Sequence, residues 1–161
     1  MDRPSSLANA LPAPAGAGAL LLAAIAARTS RIEVGTGVID MRYENPLYMV
    51  EDAGAADLIA GGRLQLGISR GSPEQVIDGW KYFGYEPAEG ETHAEMARRH
   101  AEVFLQLLDG KGFAQPNPRP MFPNPPGMLR LEPHSEGLKE RIWWGAASNA
   151  TAEWAAKLGM N

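Results

Sequence analysis

Ile32–Ser69, IEVGTGVIDMRYENPLYMVEDAGAADLIAGGRLQLGIS, reads as a strand, a helix and a second strand. Ile32–Ile39 (IEVGTGVI) is a short apolar, β-branched run interrupted by Gly35 and Gly37, the pattern of a buried strand whose end comes close to something else. Asn45-Pro46 opens the helix, with Asn as N-cap and Pro at the first helical position, where a missing N–H costs nothing. Leu47, Val50, Gly54 and Leu58 are its expected buried stripe, and Gly61-Gly62 stops it. Arg63–Ser69 (RLQLGIS) is the second strand. Strands alternating with helices in this way imply parallel βαβ units.

The pattern continues outward on both sides. Upstream, Ala17–Ala27 (AGALLLAAIAA) is a helix apolar on every side, expected to be buried on most of its surface. It is too short for a bilayer, which needs roughly 20 apolar residues. Ala24-Ile25-Ala26 has the form of a leader cleavage site, but Asp2 cancels Arg3 and Pro12 and Pro14 interrupt the approach, so the buried helix is the better reading. Downstream, Ser72-Pro73-Glu74-Gln75 is a capping box that should open a short helix through Val76 to Phe83. Thr92-His93-Ala94-Glu95 is another, and Met96, His100, Val103, Phe104, Leu107 and Leu108 follow at helical spacing. Residues 110–140 hold seven of the 13 prolines and read as a lid, a binding loop or a disordered insert, with Met128–Leu131 as a short edge strand. Arg141–Gly145 (RIWWG) is a third strand, and Ser148-Asn149 caps a last helix carrying Thr151, Trp154, Ala155 and Leu158 on one face.

The fold class is therefore α/β, with about three parallel strands and flanking helices in a single domain over residues 1–161. A closed eight-stranded α/β barrel needs at least roughly 200 residues, so the chain cannot close one alone. With 15 Lys+Arg against 19 Asp+Glu the net charge is −4, and no basic cluster favours nucleic acid. The absence of cysteine excludes disulfides, thiolate catalysis and Cys-ligated metal, and is compatible with the cytoplasm, the expected location. His93 and His100 are seven apart, too far for a two-ligand helix, so no metal site is expected. Neither a Walker spacing nor a G-x-S-x-G elbow is present. Asp57 and Arg63, flanking Gly61-Gly62, read as a structural pair.

Three stretches stand where a strand gives way to a loop: Thr36-Gly37-Val38, Ser69-Arg70-Gly71 and Ala147-Ser148-Asn149. In a parallel sheet they share one rim, where α/β folds hold ligands. Gly37 either admits a flat ligand close to the backbone or is a packing glycine. Arg70 offers a fork suited to phosphate or makes a rim salt bridge. Ser148 and Thr151, on the first turn of a helix, form an anion pocket, a plain cap, or both. Tyr43, Tyr48, Trp80 and Tyr82 border a flat aromatic ligand or fill core and rim.

Two stretches, LLAAIAARTSRIEVGTGVI with NPLYMVEDAGAADLIAGGRLQLGISRG, and then IWWGAASNATAEWAAKLGM, resemble the bacterial luciferase-like family of flavin-dependent oxidoreductases. The resemblance covers most of Leu20–Arg70 and Ile142–Met160 and fades in the proline-rich stretch. It implies a (β/α)8 TIM barrel with FMN, or in some branches a deazaflavin, at the carboxyl rim. Leu20–Arg28 would be the second helix, and the strands at Ile32, Leu64 and Arg141 the third, fourth and fifth. Gly37-Val38 match a position where members often carry a non-proline cis peptide under the flavin ring, a bond that costs about 3–4 kcal/mol. Arg70 matches a phosphate-binding arginine, Ser148 and Thr151 match hydroxyls on the phosphate, and Gly37, Val38 and Ser69 would lie along the ring. Ala147 stands where some luciferases have an acidic residue.

The family's first two strands, with the histidine some members use in catalysis, have no counterpart here, so the catalytic residues stay unassigned. Strands six to eight also have none, and the chain resembles the middle of a partial TIM barrel. The implied function is a monooxygenase using reduced flavin and O2 on an organic substrate, with a flavin reductase as a candidate partner and residues 110–140 as a lid or substrate wall. No nucleic acid or membrane partner is expected. Open strand edges should drive association, as a homo-oligomer for instance, and leave the chain weakly active or inactive. The alternatives are a non-catalytic flavin-binding or interaction remnant of such an enzyme, and an unrelated small α/β protein that binds a phosphorylated ligand at Arg70 and Ser148.

Overall fold

Three parallel strands, β1 (Val34–Asp40), β2 (Leu64–Ser69) and β3 (Ile142–Trp144), lie side by side in the order β1-β2-β3. The structure is a computed structural model and describes residues 15–71 and 76–161. Four helices surround the strands in the expected alternation: α1 (Ala15–Ala27), α2 (Pro46–Ala60), α3 (His93–Leu108) and α4 (Asn149–Lys157). Their starts obey local chemistry. The Asn45 side chain accepts from the N–H groups of Leu47 and Tyr48, and Thr92 and Glu95 close a reciprocal capping box. Gly61, at φ +62°, ends α2 in the left-handed conformation that favours glycine.

Alternation within the strands separates two faces. Leu64, Leu66 and Ile68 of β2, with Ile142 and Trp144 of β3, pack into one core with Met49 and Ala53 of α2 and Ala97, Phe104 and Leu105 of α3. Val38 and Trp143 belong to the other face and are about half exposed. The result is an open, helix-flanked sheet, part of a barrel and not a closed one. The outer edge of β3 is engaged at Asn161, whose N–H donates to the Ile142 carbonyl (3.0 Å) while its own carbonyl accepts from Trp144 (3.1 Å). No helix among the described residues is long and apolar enough to cross a membrane.

Several local expectations change. The Ser72–Gln75 box lies outside the described residues, and the helix expected from Val76 is only a 3-10 turn, Gly79–Phe83, because Asp78 (φ +50°) breaks the chain just before it. Helix α1 buries Leu22 and Ala26 but leaves Leu20, Leu21 and Ile25 exposed, since it packs mainly on α2 and β1. On α2, Val50 and Gly54 are buried as expected, whereas Leu47 and Leu58 are not. The seam also runs through Met49, Ala53, Ala56, Asp57 and Ala60, whose three alanines let α2 sit close. A Cβ on Gly54 would overlap the Pro133 carbonyl.

Asp57 and Arg63 do not pair with each other. Asp57 is fully buried and accepts from the Leu64 N–H (3.0 Å), Ser135 Oγ (2.6 Å) and Arg141 Nη2 (2.6 Å). Arg63 reaches back to the end of α1 and donates to the carbonyls of Ala26, Thr29 and Ile32, supplying partners and positive charge where a helix leaves carbonyls orphaned.

Residues 110–140 connect α3 to β3 and so lie where strands begin, opposite the rim. The contacts of Ser135 and Arg141 with Asp57, and of Arg141 Nε with the Leu64 carbonyl (3.1 Å), fasten them there. None of these residues lines the cleft at the rim. The expected strand at Met128–Leu131 reduces to one antiparallel bridge, Ala114 to Leu129, in a stretch whose prolines lack the N–H a ladder needs.

Candidate functional site

Where β2 and β3 end, a cleft of about 280 Å³ opens, lined by Arg70, Gly71, Ala94, Arg98, Trp144, Gly145, Ala147, Ser148 and Thr151. Arg70 leaves the carboxyl end of β2 with its side chain exposed. Ser148 is the N-cap of α4, and Thr151 sits at its third position. Ser148 Oγ accepts from the Thr151 N–H (3.4 Å), Thr151 Oγ1 accepts from the Ser148 N–H (3.3 Å), and the two hydroxyls are 3.2 Å apart. The pair thus caps α4 and lines the cleft at once. The first turn of a helix adds free N–H groups and the positive end of its dipole. Among the described lining residues two are guanidinium-bearing and none is acidic, a lining that suits an anion.

Of the other expected site residues, Gly37, Val38 and Ser69, none lines the cleft itself. A Cβ on Gly145 would stand 3.2 Å from both Ser69 Cβ and Val38 Cγ1, so Val38 and Ser69 stand next to that one lining residue. The Ser69 hydroxyl accepts from the Gly71 N–H (2.8 Å). Gly37 pairs with Gly67 one step further along β1, and a Cβ there would meet nothing within 4 Å. The Gly37–Val38 bond is trans, because the cis bond among the described residues is Glu132–Pro133. The backbone irregularity expected at Gly37-Val38 takes another form, a bulge between Gly37 and Ile39 that shifts the register with β2.

The family model for luciferase-like monooxygenases matches residues 11–161. The chain belongs to that family. It is 36% identical over 94 residues to 4-hydroxyprotoasukamycin monooxygenase of Streptomyces nodosus subsp. asukaensis, covering 56% of this chain and 23% of the relative. It is 30% identical over 96 residues to limonene 1,2-monooxygenase of Rhodococcus erythropolis, covering 60% and 23%. Among solved structures it is similar to the monooxygenase RslO1 from Streptomyces bottropensis, with a TM-score of 0.61 and 25% identity over 89% of this chain and 41% of that one. The chain spans less than half the length of each of these proteins.

Within this luciferase-like fold, Arg98 is the cleft residue that sequence reading missed. It stands one turn after Ala94 on α3, and the small Ala94 leaves the face open. Its neighbour Arg99 has a different task. It donates to Glu91 (2.9 Å) and is the main reason the Glu91 carboxyl is held down to about 2. None of the four aromatics expected to border a ligand lines the cleft. Tyr43 and Trp80 are buried, the first edge-on to Phe83 and the second stacked on His93, whereas Tyr48 and Tyr82 are exposed. The aromatic in the cleft wall is Trp144, edge-to-face with Trp154 at 4.8 Å. His100 is buried, and burial pushes its pKa down. Its Nδ1 donates to the Met41 carbonyl at 2.8 Å, a buried contact that ties α3 to the end of β1.

Proposed function

We propose that the cleft takes the terminal phosphate of reduced FMN and that the protein serves a flavin-dependent monooxygenase reaction, with O2 and an organic substrate. One observation carries the reading: Arg70 and the Ser148–Thr151 pair, far apart in sequence, line a single cleft together with Arg98 and, among the described residues, no carboxylate. A phosphate monoester carries about −1.5 to −2 charge at pH 7 and accepts several hydrogen bonds. Two guanidinium forks, two hydroxyls and a helix N-terminus match that demand. A deazaflavin, whose phosphate is a diester with a single charge, matches two cations less well and is the alternative cofactor.

The residues fit the group in size as well. A cleft of about 280 Å³ admits a phosphate and the polyol beside it, not a whole flavin. The ring therefore belongs beyond it, on the open sheet face carrying Gly37, Val38 and Ser69. When bound, reduced flavin supplies the electrons that activate O2. Arg70, Arg98, Ser148 and Thr151 would anchor the phosphate end of the cofactor, and the exposed apolar side chain of Val38 would supply a water-excluding contact beyond it.

Binding without turnover is the second reading. It is favoured by the uncovered sheet face around Val38 and Trp143, which suits association with another polypeptide, a second copy of this chain or a flavin reductase among them. Fluorescence titration with FMN and O2 uptake with chemically reduced FMN test both readings. Tight FMN binding that R70A and S148A each weaken is expected. Equal affinity in wild type and both variants would falsify the site. Binding without O2 uptake beyond that of free flavin would favour the second reading.

A further inference from the structure

We infer that the Asp40–Arg42 ion pair is a positioning device that sets Arg70 over the cleft; this rests on the reading of Arg70 as a phosphate ligand. Asp40 is the last residue of β1 and pairs in register with Ser69 of β2. Its carboxylate accepts from three donor groups of Arg42: the backbone N–H (3.0 Å), Nε (3.0 and 3.1 Å to the two oxygens) and Nη2 (2.5 Å). Both side chains are nearly buried, at 12% and 5% exposure. The Arg42 guanidinium is further held 5.4 Å from the Trp80 ring and 5.8 Å from that of Tyr43.

The turn that carries Arg70 rests on this platform. Gly71 has φ +84°, a conformation that favours glycine, and its missing side chain is where the pair fits. A Cβ there would overlap the Asp40 carboxylate and stand 2.5 Å from Arg42 Nη2. On its other side the Gly71 N–H is held by Ser69 Oγ at 2.8 Å, and the Met41 N–H holds the Ser69 carbonyl at 2.9 Å. Arg70 therefore leaves a backbone fixed before and after it, while its own side chain stays exposed. Neither Asp40 nor Arg42 lines the cleft, so the pair reaches a ligand through the turn of Arg70 and Gly71 that rests on it. A displacement of about 1 Å at such a group can cost about 100-fold, so a rigid seat matters.

The test is a double-mutant cycle read by equilibrium binding. FMN and riboflavin, which lacks the phosphate, are titrated by flavin fluorescence into wild type, R70A, D40N, G71A and the doubles D40N/R70A and G71A/R70A, with circular dichroism confirming folding. D40N and G71A are each expected to weaken FMN about tenfold or more, the scale of a charged hydrogen bond, with riboflavin unchanged. In the R70A background neither should weaken FMN further. G71A carries the test alone if D40N does not fold. The inference is overturned if both variants bind FMN like wild type, or if they weaken it by the same factor with and without Arg70. If R70A itself leaves FMN affinity unchanged, the phosphate reading falls and this inference with it.

Discussion

Arg141 Nη2 lies 2.6 Å from the fully buried Oδ2 of Asp57, and through that contact the start of β3 is tied to the last turn of α2. The same carboxylate takes the Ser135 hydroxyl and, on its other oxygen, the first N–H of β2. Removing the acceptor strands three donors at once. Asp57→Ala should lower unfolding free energy by about 3–5 kcal/mol, the range for breaking a buried pair. Urea denaturation followed by circular dichroism measures it, and a loss below about 1 kcal/mol would mean the cluster relaxes onto water.

Gly54→Ala should destabilise although alanine is the better helix former. The added methyl has no room against the Pro133 carbonyl. Overpacking of this kind costs about 1–3 kcal/mol, more than the propensity gain of about 1 kcal/mol. A thermal melt that rises for the variant would show that the 133 segment moves aside freely.

Acid should weaken one specific pair. Glu91 is held at about 2 by Arg99 and by the Ala88 N–H, below the 4.5 it has when unpaired. A depressed carboxyl stabilises the fold above its unfolded value, and that share is lost as pH falls from 4.5 towards 2. Melting temperature across that interval should fall more steeply for wild type than for Glu91→Gln, with the curves converging at the acid end.

The hydroxyl of Ser148 serves the helix and, in our reading, the ligand, and substitution separates the two. Ser148→Ala should cost about 0.5–2 kcal/mol of stability as a lost N-cap and also weaken FMN. Ser148→Asp keeps a good cap, so stability should return, while its charge repels a phosphate and FMN binding should be abolished. Thermal melts and FMN titration on both variants give the two readouts. Stability and affinity falling together in both would leave the hydroxyl with a structural role alone.

Of the neighbouring arginines, Arg98 faces the cleft and Arg99 faces Glu91. Arg98→Ala should weaken FMN about tenfold or more while leaving acid sensitivity as it was. Arg99→Ala should do the reverse. Parallel FMN titrations and pH-dependent melts decide the assignment.

What could be read in advance was what the chain decides locally. Asn45, Thr92 and Ser148 cap helices because their partners lie two or three residues away. Leu64, Leu66 and Ile68 alternate because one sheet face is covered. Asp57 was assigned the wrong arginine because its partners Ser135 and Arg141 are 78 and 84 residues distant, while Arg63 is merely near in sequence. Arg98 could not be told from Arg99 by type, and only the packing of α3 separates them. The convergence of Arg70 with Ser148 and Thr151 was legible, since parallel strands bring their carboxyl ends to one rim. By that rule the proline-rich stretch also belonged at the opposite end, because it connects a helix to a strand. Composition marks that stretch as irregular, and topology places its two ends.

That placement has a practical side. The stretch between Ala114 and Leu129 is closed at its neck by the bridge between those two residues and anchored further on by Ser135 and Arg141. An epitope or fluorophore tag spliced in near Asn117 would extend from that closed neck, in a stretch that lends no residue to the arginine-lined cleft. This is the region a protein engineer can lengthen, label or immobilise while the cofactor end keeps its shape.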